Sequence, residues 1–414
     1  MLIAGEASGD LLAAELVNAL RDEFAAGEPF LTADHQPLYT SLEPRFFGAG
    51  GPRMAAAGVD LAFDLTAHSV TGLSDVFKNL RKFRRLLVQL YQLALDREPD
   101  AIICVDFGAF NLRFAHAIKE YVRFHSDWFH AWNPKLIQYV SPQVWASREG
   151  RAYRIARDYN LLLSIIPFEK EWYAKRVPQL PVEFVGHPIM DRYGPTVPRH
   201  SPSTINHQPS TLFLPGSRPG ELARHLPVMF GALGIMRASL PNLRAHMVLP
   251  NETLLQQAKT QNPPADLEIQ SGGLPESLHQ ADLAIASTGT VTLECACFGV
   301  PTVALYKTSW TTYQVARHLV KVKHLAMPNL LANEEIFPEF IQNAATPENI
   351  ARAALEILRD EPRRARIKTK LAEIIATLGP PGASQRAARA IVNLLDIPKP
   401  SPHSSQLEEA HVFT

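Results

Sequence analysis

Short apolar runs alternate with longer amphipathic stretches along the chain, and this alternation constrains the fold more than any other feature of the sequence. The run MLIAG precedes DLLAAELVNALRDEF, and DAIICVDFG precedes NLRFAHAIKEYV. The second half repeats the pattern, with STLFLPGS before LPVMFGALGIMRASL and ADLAIAS before VTLECACFG. Runs that are apolar throughout indicate strands buried on both faces, as in parallel sheets covered by helices. The sequence therefore predicts an α/β fold.

A polar, proline-rich segment separates two halves of similar size. Its sequence, YGPTVPRHSPSTINHQPS, spans residues 193–210, lacks apolar periodicity and predicts a linker. We expect one domain over residues 1–192 and a second over residues 211–375. A C-terminal helix over residues 376–395 and a disordered polar tail over residues 396–414 are expected to follow.

Charge and cysteine content narrow the classes of function. Lys+Arg and Asp+Glu both number 41, so the net charge gives no support to a nucleic-acid-binding protein. Cys104, Cys295 and Cys297 show no CxxC spacing, and we expect them to be core residues in a reducing compartment. No apolar run reaches the roughly 18 residues of a membrane-spanning helix, and MLIAGEASGD lacks the features of a signal peptide. We therefore expect a cytoplasmic protein.

Two turns in the second half have the composition of anion-binding sites. LFLPGSRPGEL leaves a buried strand through Gly216, Ser217 and Arg218 and then enters a helix. ASTGTVTLE does the same through Thr288, Gly289 and Thr290. Helix N-termini offer unpaired N–H groups, glycine allows close approach of the backbone, and arginine suits phosphate. A solvated arginine in an ordinary connector is the alternative for the first turn, but two such turns favour a nucleotide diphosphate.

Carboxylates and hydroxyls accompany these turns. Glu294 lies one helical turn beyond Thr290 and is placed to accept hydrogen bonds from ribose hydroxyls, or else is a solvated helix residue. In the first half, GEASGD brings Glu6, Ser8 and Asp10 to the end of the first strand. The chain has no GxGxxG with an acidic residue about 20 positions on, no GxxxxGK[ST] and no D-x-D. We therefore predict no metal and no cofactor. On a sugar-nucleotide diphosphate, helix N-termini and Arg218 would neutralise the leaving group instead.

A set of segments closely resembles the lipid-A-disaccharide synthase family. They are AGEASGD, GAGGPRMAAAG, QYVSPQVWA, PFEKEWY, FVGHPIMD, LPGSRPGE, TGTVTLE and MPNLLANEEIFPEF, in this order. The resemblance implies the GT-B fold, in which two Rossmann-like domains with parallel sheets face a central cleft. It implies inverting transfer of 2,3-diacylglucosamine from UDP-2,3-diacylglucosamine to 2,3-diacylglucosamine 1-phosphate, which gives a β-1,6-linked disaccharide 1-phosphate and UDP in lipid A biosynthesis. It also implies a peripheral enzyme on the cytoplasmic face of the inner membrane and a possible homodimer.

The resemblance also implies roles for individual residues. The UDP part would be held by Gly216, Ser217, Arg218, Thr288, Gly289, Thr290 and Glu294, with Asn329 near the diphosphate. The acceptor side of the cleft would include Glu6, Ser8 and Asn111. We expect His187, in the segment FVGHPIMD, to be structural.

One position departs from the family pattern. The chain reads DFGAFN over Asp106 to Asn111, and Ala109 stands where the family usually has a second aspartate, the favoured candidate for the general base. Transfer needs a base for the acceptor hydroxyl proton, and Asp106, Glu6 and Asp10 remain as candidates, although Asp106 could instead cap the following helix. Two other functions stay open: a paralogue with a different acceptor, and a catalytically silent protein that binds a UDP-sugar.

A basic amphipathic stretch, Leu73 to Leu95, favours contact with an anionic bilayer. Its apolar residues follow helical spacing, whereas basic residues crowd the rest of its first half, Lys78, Arg81, Lys82, Arg84 and Arg85. The alternative is an ordinary surface helix whose apolar stripe packs on the core.

Overall fold

The computed structural model describes residues 1–25, 30–31, 37–38, 43–68, 73–125, 131–194 and 208–395, without the side chains of residues 30–31, 37–38, 68 and 73–80. The tail over residues 396–414 and most of the linker lie outside these ranges, so both stay predictions. Among the described residues, no helix is both long and apolar enough to cross a membrane.

The first half of the chain forms a parallel sheet of seven strands, and its spatial order is β5-β4-β1-β6-β7-β8-β9. A short antiparallel pair, β2 (Phe30–Leu31) and β3 (Pro37–Leu38), stands apart from it. The strands of the main sheet are β1 (Leu2–Ala4), β4 (Phe47–Gly50), β5 (Asp60–Asp64), β6 (Ala101–Val105), β7 (Lys135–Tyr139), β8 (Leu161–Ser164) and β9 (Val182–Phe184).

Helices follow these strands and cover both faces of the sheet, as the apolar runs predicted. Two clusters of buried apolar side chains fill the two faces, one under β1 and α1 and the other under α3 and α4. The helices are α1 (Ala7–Ala25), α2 (Pro52–Ala56), α3 (Leu73–Arg97), α4 (Gly108–His125), α5 (Val144–Ser147), α6 (Arg151–Asp158), α7 (Glu169–Ala174) and α8 (Ile189–Tyr193).

The second half forms a parallel sheet of six strands in the order β12-β11-β10-β13-β14-β15. Its strands are β10 (Ser210–Leu214), β11 (Arg244–Leu249), β12 (Glu268–Ser271), β13 (Leu283–Ser287), β14 (Thr302–Tyr306) and β15 (Glu339–Ile341). Its helices are α9 (Pro219–Ser239), α10 (Glu252–Lys259), α11 (Leu274–Gln280), α12 (Thr290–Cys297), α13 (Trp310–Leu319), α14 (Met327–Ala332), α15 (Pro347–Arg359) and α16 (Glu361–Thr377). The three cysteines are free and buried, as expected.

The last helix, α17 (Ala383–Leu394), returns to the first domain. It begins later than the predicted residue 376, because Gly-Pro-Pro-Gly at residues 379–382 interrupts the helical conformation after α16. Its apolar face, including Ala387 and Ile391, packs with Leu16 of α1 in one buried cluster. The chain therefore passes between the two domains twice.

In each sheet the strand order reverses beside the first strand of its domain. The reversal falls between β1 and β6 in the first sheet and between β10 and β13 in the second. The register aligns Ala4 with Val105, and Leu214 with Ala286, so the turns that follow each pair leave the same edge of the sheet. Crevices at such reversal points are the usual ligand sites of open parallel sheets.

Candidate active site

The turn after β10 places Arg218 at the N-cap of α9. Gly216 has φ of +120°, a conformation that favours glycine, and a Cβ there would lie 2.5 Å from Oε2 of Glu221 and displace that carboxylate. The backbone N–H of Ser217 donates to the same oxygen at 3.2 Å. Ser217 and Arg218 are both exposed. The predicted phosphate-type turn is thus built from backbone that the Glu221 carboxylate holds in place.

Arg218 connects the two domains. Its Nη2 lies 3.8 Å from Oε2 of Glu6, which follows β1, and its Nη1 lies 3.7 Å from Oε1 of Glu221. The side chains of Arg218 and Glu6 are 45% and 40% exposed. Exposed ion pairs of this length contribute little to folding stability, about 0–1 kcal/mol. The guanidinium is therefore available to an anionic ligand in the cleft, by which we mean the space between the turns after β1 and β6 and the turns after β10 and β13.

The turn after β13 has the geometry expected of an anion-binding turn. Gly289 has φ of +122° and precedes α12, and both it and Thr290 are exposed, whereas Thr288 is half-buried. Thr292 closes the turn from within, because its hydroxyl donates to the carbonyl oxygen of Gly289 at 2.7 Å. The first backbone N–H groups of α12 have no acceptor within the helix. These N–H groups lie at the same edge of the second sheet as the turn that carries Arg218.

Glu294 is half-buried on α12 and already has a donor. The hydroxyl of Tyr193, the last residue of α8, donates to its Oε1 at 3.1 Å. Burial raises the pKa of Glu294. The contact joins the end of the first domain to the helix that carries the predicted ribose-binding carboxylate.

Asp106 lies at the end of β6 in an unusual backbone conformation. Asp106 and Phe107 both have φ of +49°, a region that residues other than glycine rarely adopt. The Asn111 amide donates to the Asp106 carbonyl oxygen at 2.7 Å, and the Asp106 N–H donates to the Tyr139 carbonyl oxygen at 2.9 Å. Burial raises the pKa of the Asp106 carboxyl to about 6, and the nearby charge of Glu6 acts in the same direction. Strained, well-held backbone of this kind clusters at functional sites.

The structure gives three predicted site residues buried structural partners. Asp10 is 2% exposed, and its carboxylate accepts hydrogen bonds from the N–H groups of Gly51, Arg53 and Met54 at 2.8–3.1 Å. It therefore caps α2, which favours a structural role over that of a base. Asn111 is fully buried beneath the Asp106 turn.

Asn329 is also fully buried, at the start of α14. Its amide N–H groups donate to the Phe337 carbonyl oxygen and to Oε1 of Glu339, both at 2.7 Å, and its oxygen accepts from the N–H groups of Ile336 and Phe337 at 2.8 Å. These contacts brace the loop after α14 and leave its side chain engaged. Ser8, by contrast, is exposed in the first turn of α1.

Sequence reasoning missed His225, which joins two turns of the second sheet. His225 is fully buried on α9. Its Nδ1 donates to the Pro215 carbonyl oxygen at 2.7 Å, and its Nε2 accepts from the Lys307 N–H at 2.9 Å. Burial lowers its pKa, in keeping with a neutral ring in this tautomer. The turns after β10 and β14 are thereby held together. Its position seven residues beyond Arg218, on the buried face of α9, was the available signal.

Similar folds occur among solved structures. The S. aureus MnaA-UDP co-structure aligns with a TM-score of 0.58 at 15% identity, covering 97% of this chain and 98% of that one. MurG of Acinetobacter baumannii aligns with a TM-score of 0.53 at 14% identity, covering 95% and 98%. The fold, in which two domains with parallel sheets face one cleft, is that of the GT-B glycosyltransferases.

Sequence comparison places the chain within that class. The family described as lipid-A-disaccharide synthetase matches residues 1–392. The lipid-A-disaccharide synthase of Anaeromyxobacter dehalogenans (strain 2CP-C) is 34% identical over 403 residues, covering 95% of this chain and 97% of the relative. That of Syntrophus aciditrophicus (strain SB) is 33% identical over 402 residues, with the same coverage. The chain belongs to the lipid-A-disaccharide synthetase family and is a UDP-sugar-dependent glycosyltransferase.

Proposed function

We propose that the chain transfers 2,3-diacylglucosamine from UDP-2,3-diacylglucosamine to 2,3-diacylglucosamine 1-phosphate. The products are the β-1,6-linked disaccharide 1-phosphate and UDP. The observation that carries this proposal is the Arg218–Glu6 contact, which brings the reversal points of the two sheets to opposite sides of one cleft. A UDP-sugar at one reversal point thus faces an acceptor at the other. Family membership disfavours the paralogue and the silent binding protein.

On the donor side, Arg218 and the N-terminus of α12 stabilise the departing diphosphate. As the bond between the sugar's anomeric carbon and the phosphate oxygen breaks, negative charge grows on that oxygen. Arg218 supplies a permanent positive charge, and the N–H groups at Gly289 and Thr290 supply donors aligned with the helix dipole. Gly216 and Ser217 would let the first turn approach the same group, and Glu294 would accept from the ribose.

On the acceptor side, Asp106 is the proposed general base. It takes the proton of the acceptor 6-hydroxyl as that oxygen forms its bond to the anomeric carbon, which gives inversion. A pKa of about 6 leaves the carboxylate ionised at neutral pH and makes it more basic than an ordinary aspartate. Glu6 is a weaker candidate because Arg218 already opposes its charge, and Asp10 is occupied as a cap. Ala109, exposed on the first turn of α4, carries no proton-accepting group.

The membrane surface is the proposed place of action, because both substrates carry acyl chains. Arg81, Lys82, Arg84 and Arg85 on α3 are exposed, as is 56% of Val88. Farther along α3, Leu86 and Leu90 are buried in the core. The apolar stripe of the helix therefore packs on the core there, as the alternative interpretation predicted, and the basic face of the helix stays exposed. Lys78 lies where side chains are not described. Attachment to the inner membrane's cytoplasmic face and homodimer formation stay predictions.

Turnover by the purified protein tests the proposal. The donor and the phosphorylated acceptor are mixed with protein in detergent, and UDP release and disaccharide formation are followed together. We expect equal amounts of both products, lost in Asp106→Asn and retained in Glu171→Gln, an exposed carboxylate on α7. Binding of UDP without any disaccharide would contradict the proposed reaction.

A further inference from the structure

Four arginines gather near the N-terminal ends of α4 and α6. They are Arg113 on α4, Arg148 at the end of α5, and Arg151 and Arg154 on α6. Helices α4 and α6 follow the neighbouring parallel strands β6 and β7 and pack against each other. They therefore run in the same direction, with their N-termini at the sheet edge that carries Asp106.

A contact one turn farther along fixes how the arginines face each other. Nη2 of Arg157 on α6 lies 2.8 Å from Nδ1 of His116 on α4. Arg154 and Arg113 precede these two residues by three positions, so they share the same helix faces one turn nearer the cleft. Arg148 and Arg151 extend the row at the same spacing, and the Arg151 N–H donates to the Arg148 carbonyl oxygen at 2.9 Å.

No carboxylate of the described residues forms an ion pair with these four arginines. Farther from the cleft, Arg157 pairs with Asp158 at 2.7 Å. Glu149, in the same loop as Arg148, is held by Arg176 at 3.4 Å and by Lys321 at 3.7 Å.

Within the described part of the chain, the side chains of the four arginines have no hydrogen bond or ion pair. Burial lowers the pKa of Arg151, and the charges of Arg148, Arg154 and Arg113 lower it further. Like charges held together without a partner favour an anionic ligand.

We propose that Arg113, Arg148, Arg151 and Arg154 bind the phosphomonoester of the sugar acceptor. This inference rests on the proposed function and adds to it the group that recognises the acceptor. The row lies on the acceptor side of the cleft, because α4 begins two residues after Asp106. Asn111, whose amide donates to the Asp106 carbonyl oxygen, precedes Arg113 by two residues on that helix. Guanidinium groups recognise phosphate oxygens through paired, charge-assisted hydrogen bonds. Arg218 is then left to the donor diphosphate, so each phosphate-bearing substrate has its own arginines.

The test compares two acceptors in the double variant Arg151→Gln/Arg154→Gln. One acceptor is 2,3-diacylglucosamine 1-phosphate and the other is the same sugar without phosphate. We expect kcat/KM for the phosphorylated acceptor to fall about tenfold to a hundredfold, which is the loss of one or two charge-assisted hydrogen bonds. The unphosphorylated acceptor should react as with the wild type, and UDP affinity should not change. Arg123→Gln, at the exposed far end of α4, is the matched control and should leave all three values unchanged.

A different pattern with the two acceptors would overturn the inference, and a failure of the wild-type reaction would leave it to a binding measurement. An equal loss with both acceptors, together with weaker sedimentation with phosphatidylglycerol vesicles, would assign the row to lipid headgroups. Should the wild type form no disaccharide from either acceptor, the proposed function fails, and direct binding of the phosphorylated acceptor in detergent decides the inference separately. Binding lost in the double variant supports the arginine site, and equal binding by both proteins refutes it.

Discussion

The guanidinium of Arg218 lies 3.8 Å from the carboxylate of Glu6, and these two residues follow the first strands of the two sheets. Each charge offsets the other across the cleft when no substrate is present. A diphosphate arriving at Arg218 competes with Glu6 for the guanidinium. Substrate binding and the charge next to Asp106 are therefore linked, because Glu6 also raises the pKa of Asp106.

Replacing Arg218 should reduce catalysis without weakening the fold. In Arg218→Gln we expect kcat/KM for the UDP-sugar to fall about tenfold to a thousandfold, as for the removal of a charged donor from a developing anion. Unfolding free energy should change by less than about 0.5 kcal/mol, because both ion pairs are exposed. Steady-state kinetics and urea denaturation measure the two effects. A loss of stability that matches the loss of activity would argue for a structural arginine.

The pH dependence of the reaction should report Asp106. The base must be ionised, so kcat/KM should rise with pH through about 6 and then level off. In Glu6→Gln a negative neighbour is removed, the ionised form of Asp106 becomes more favourable, and the inflection should move to lower pH. Asp106→Asn should abolish the inflection together with most of the activity. An inflection at the same pH in Glu6→Gln would show that the charge of Glu6 does not influence the pKa of the catalytic group.

The raised pKa of Asp106 also predicts a sign for stability. The folded protein binds this proton more tightly than the unfolded chain, so the group's contribution to stability is present at acid pH and is lost as pH rises toward and through about 6. Asp106→Asn should therefore raise Tm at pH 7.5 relative to the wild type and change it less at pH 4. Thermal denaturation at both pH values provides the measurement. A Tm that falls at pH 7.5 would mean that the carboxylate itself holds the strained turn.

Glu169 should be required for folding stability rather than for chemistry. It is fully buried, and its carboxylate accepts from the Trp145 indole at 2.8 Å and from the Ser164 hydroxyl at 2.6 Å. Glu169→Ala leaves the Trp145 indole N–H unpaired beside a cavity, whereas the Ser164 hydroxyl can still donate to the Ile166 carbonyl oxygen at 2.9 Å. We expect about 2–5 kcal/mol of destabilisation. Urea denaturation followed by tryptophan fluorescence measures it. Glu171→Ala, exposed on the same helix, is the control, and a similar effect in both variants would point to loss of helix α7 rather than of the buried contacts.

Removing the Tyr193 hydroxyl should weaken nucleotide binding moderately. Tyr193→Phe takes the donor from Oε1 of Glu294 and keeps the ring, which packs on Phe298 with centroids 5.0 Å apart. The Tyr193 hydroxyl orients Glu294 with a hydrogen bond worth about 1 kcal/mol, so we expect UDP binding to weaken by up to roughly fivefold. Titration calorimetry with UDP gives the value. Tighter binding instead would show that Tyr193 competes with the nucleotide for Glu294.

The central strands of both sheets could be predicted from sequence, whereas the edge strands could not. The strands β1, β10 and β13 are buried throughout, as is β6 beyond its first residue, and they appear as apolar runs. The apolar pattern did not predict the outer strands of the two sheets, which are β5, β9, β12 and β15. Edge strands are covered on fewer sides, so their composition is mixed; β5 alternates between exposed and partly exposed residues.

The turns of the candidate site were predictable where the signal was local. The turns at Gly216 and Gly289 could be recognised because a few adjacent residues define them. The capping role of Asp10 depends on Gly51, 41 positions away, and the tie made by His225 depends on Lys307, 82 positions away. Sequence spacing carries no information about such partners until the fold brings them together.

The return of α17 to the first domain has a consequence for the order in which the protein is made. Residues 383–394 are synthesised after the whole second domain, yet Ala387 and Ile391 belong to the same buried cluster as Leu2 and Leu16 of the first domain. The apolar surface of the first domain that α17 covers therefore stays exposed until the second domain has been synthesised. The sheet of the second domain lies within residues 210–341 and its core helices α15 and α16 within residues 347–377, all before α17. The second domain is therefore expected to fold before the first domain is complete.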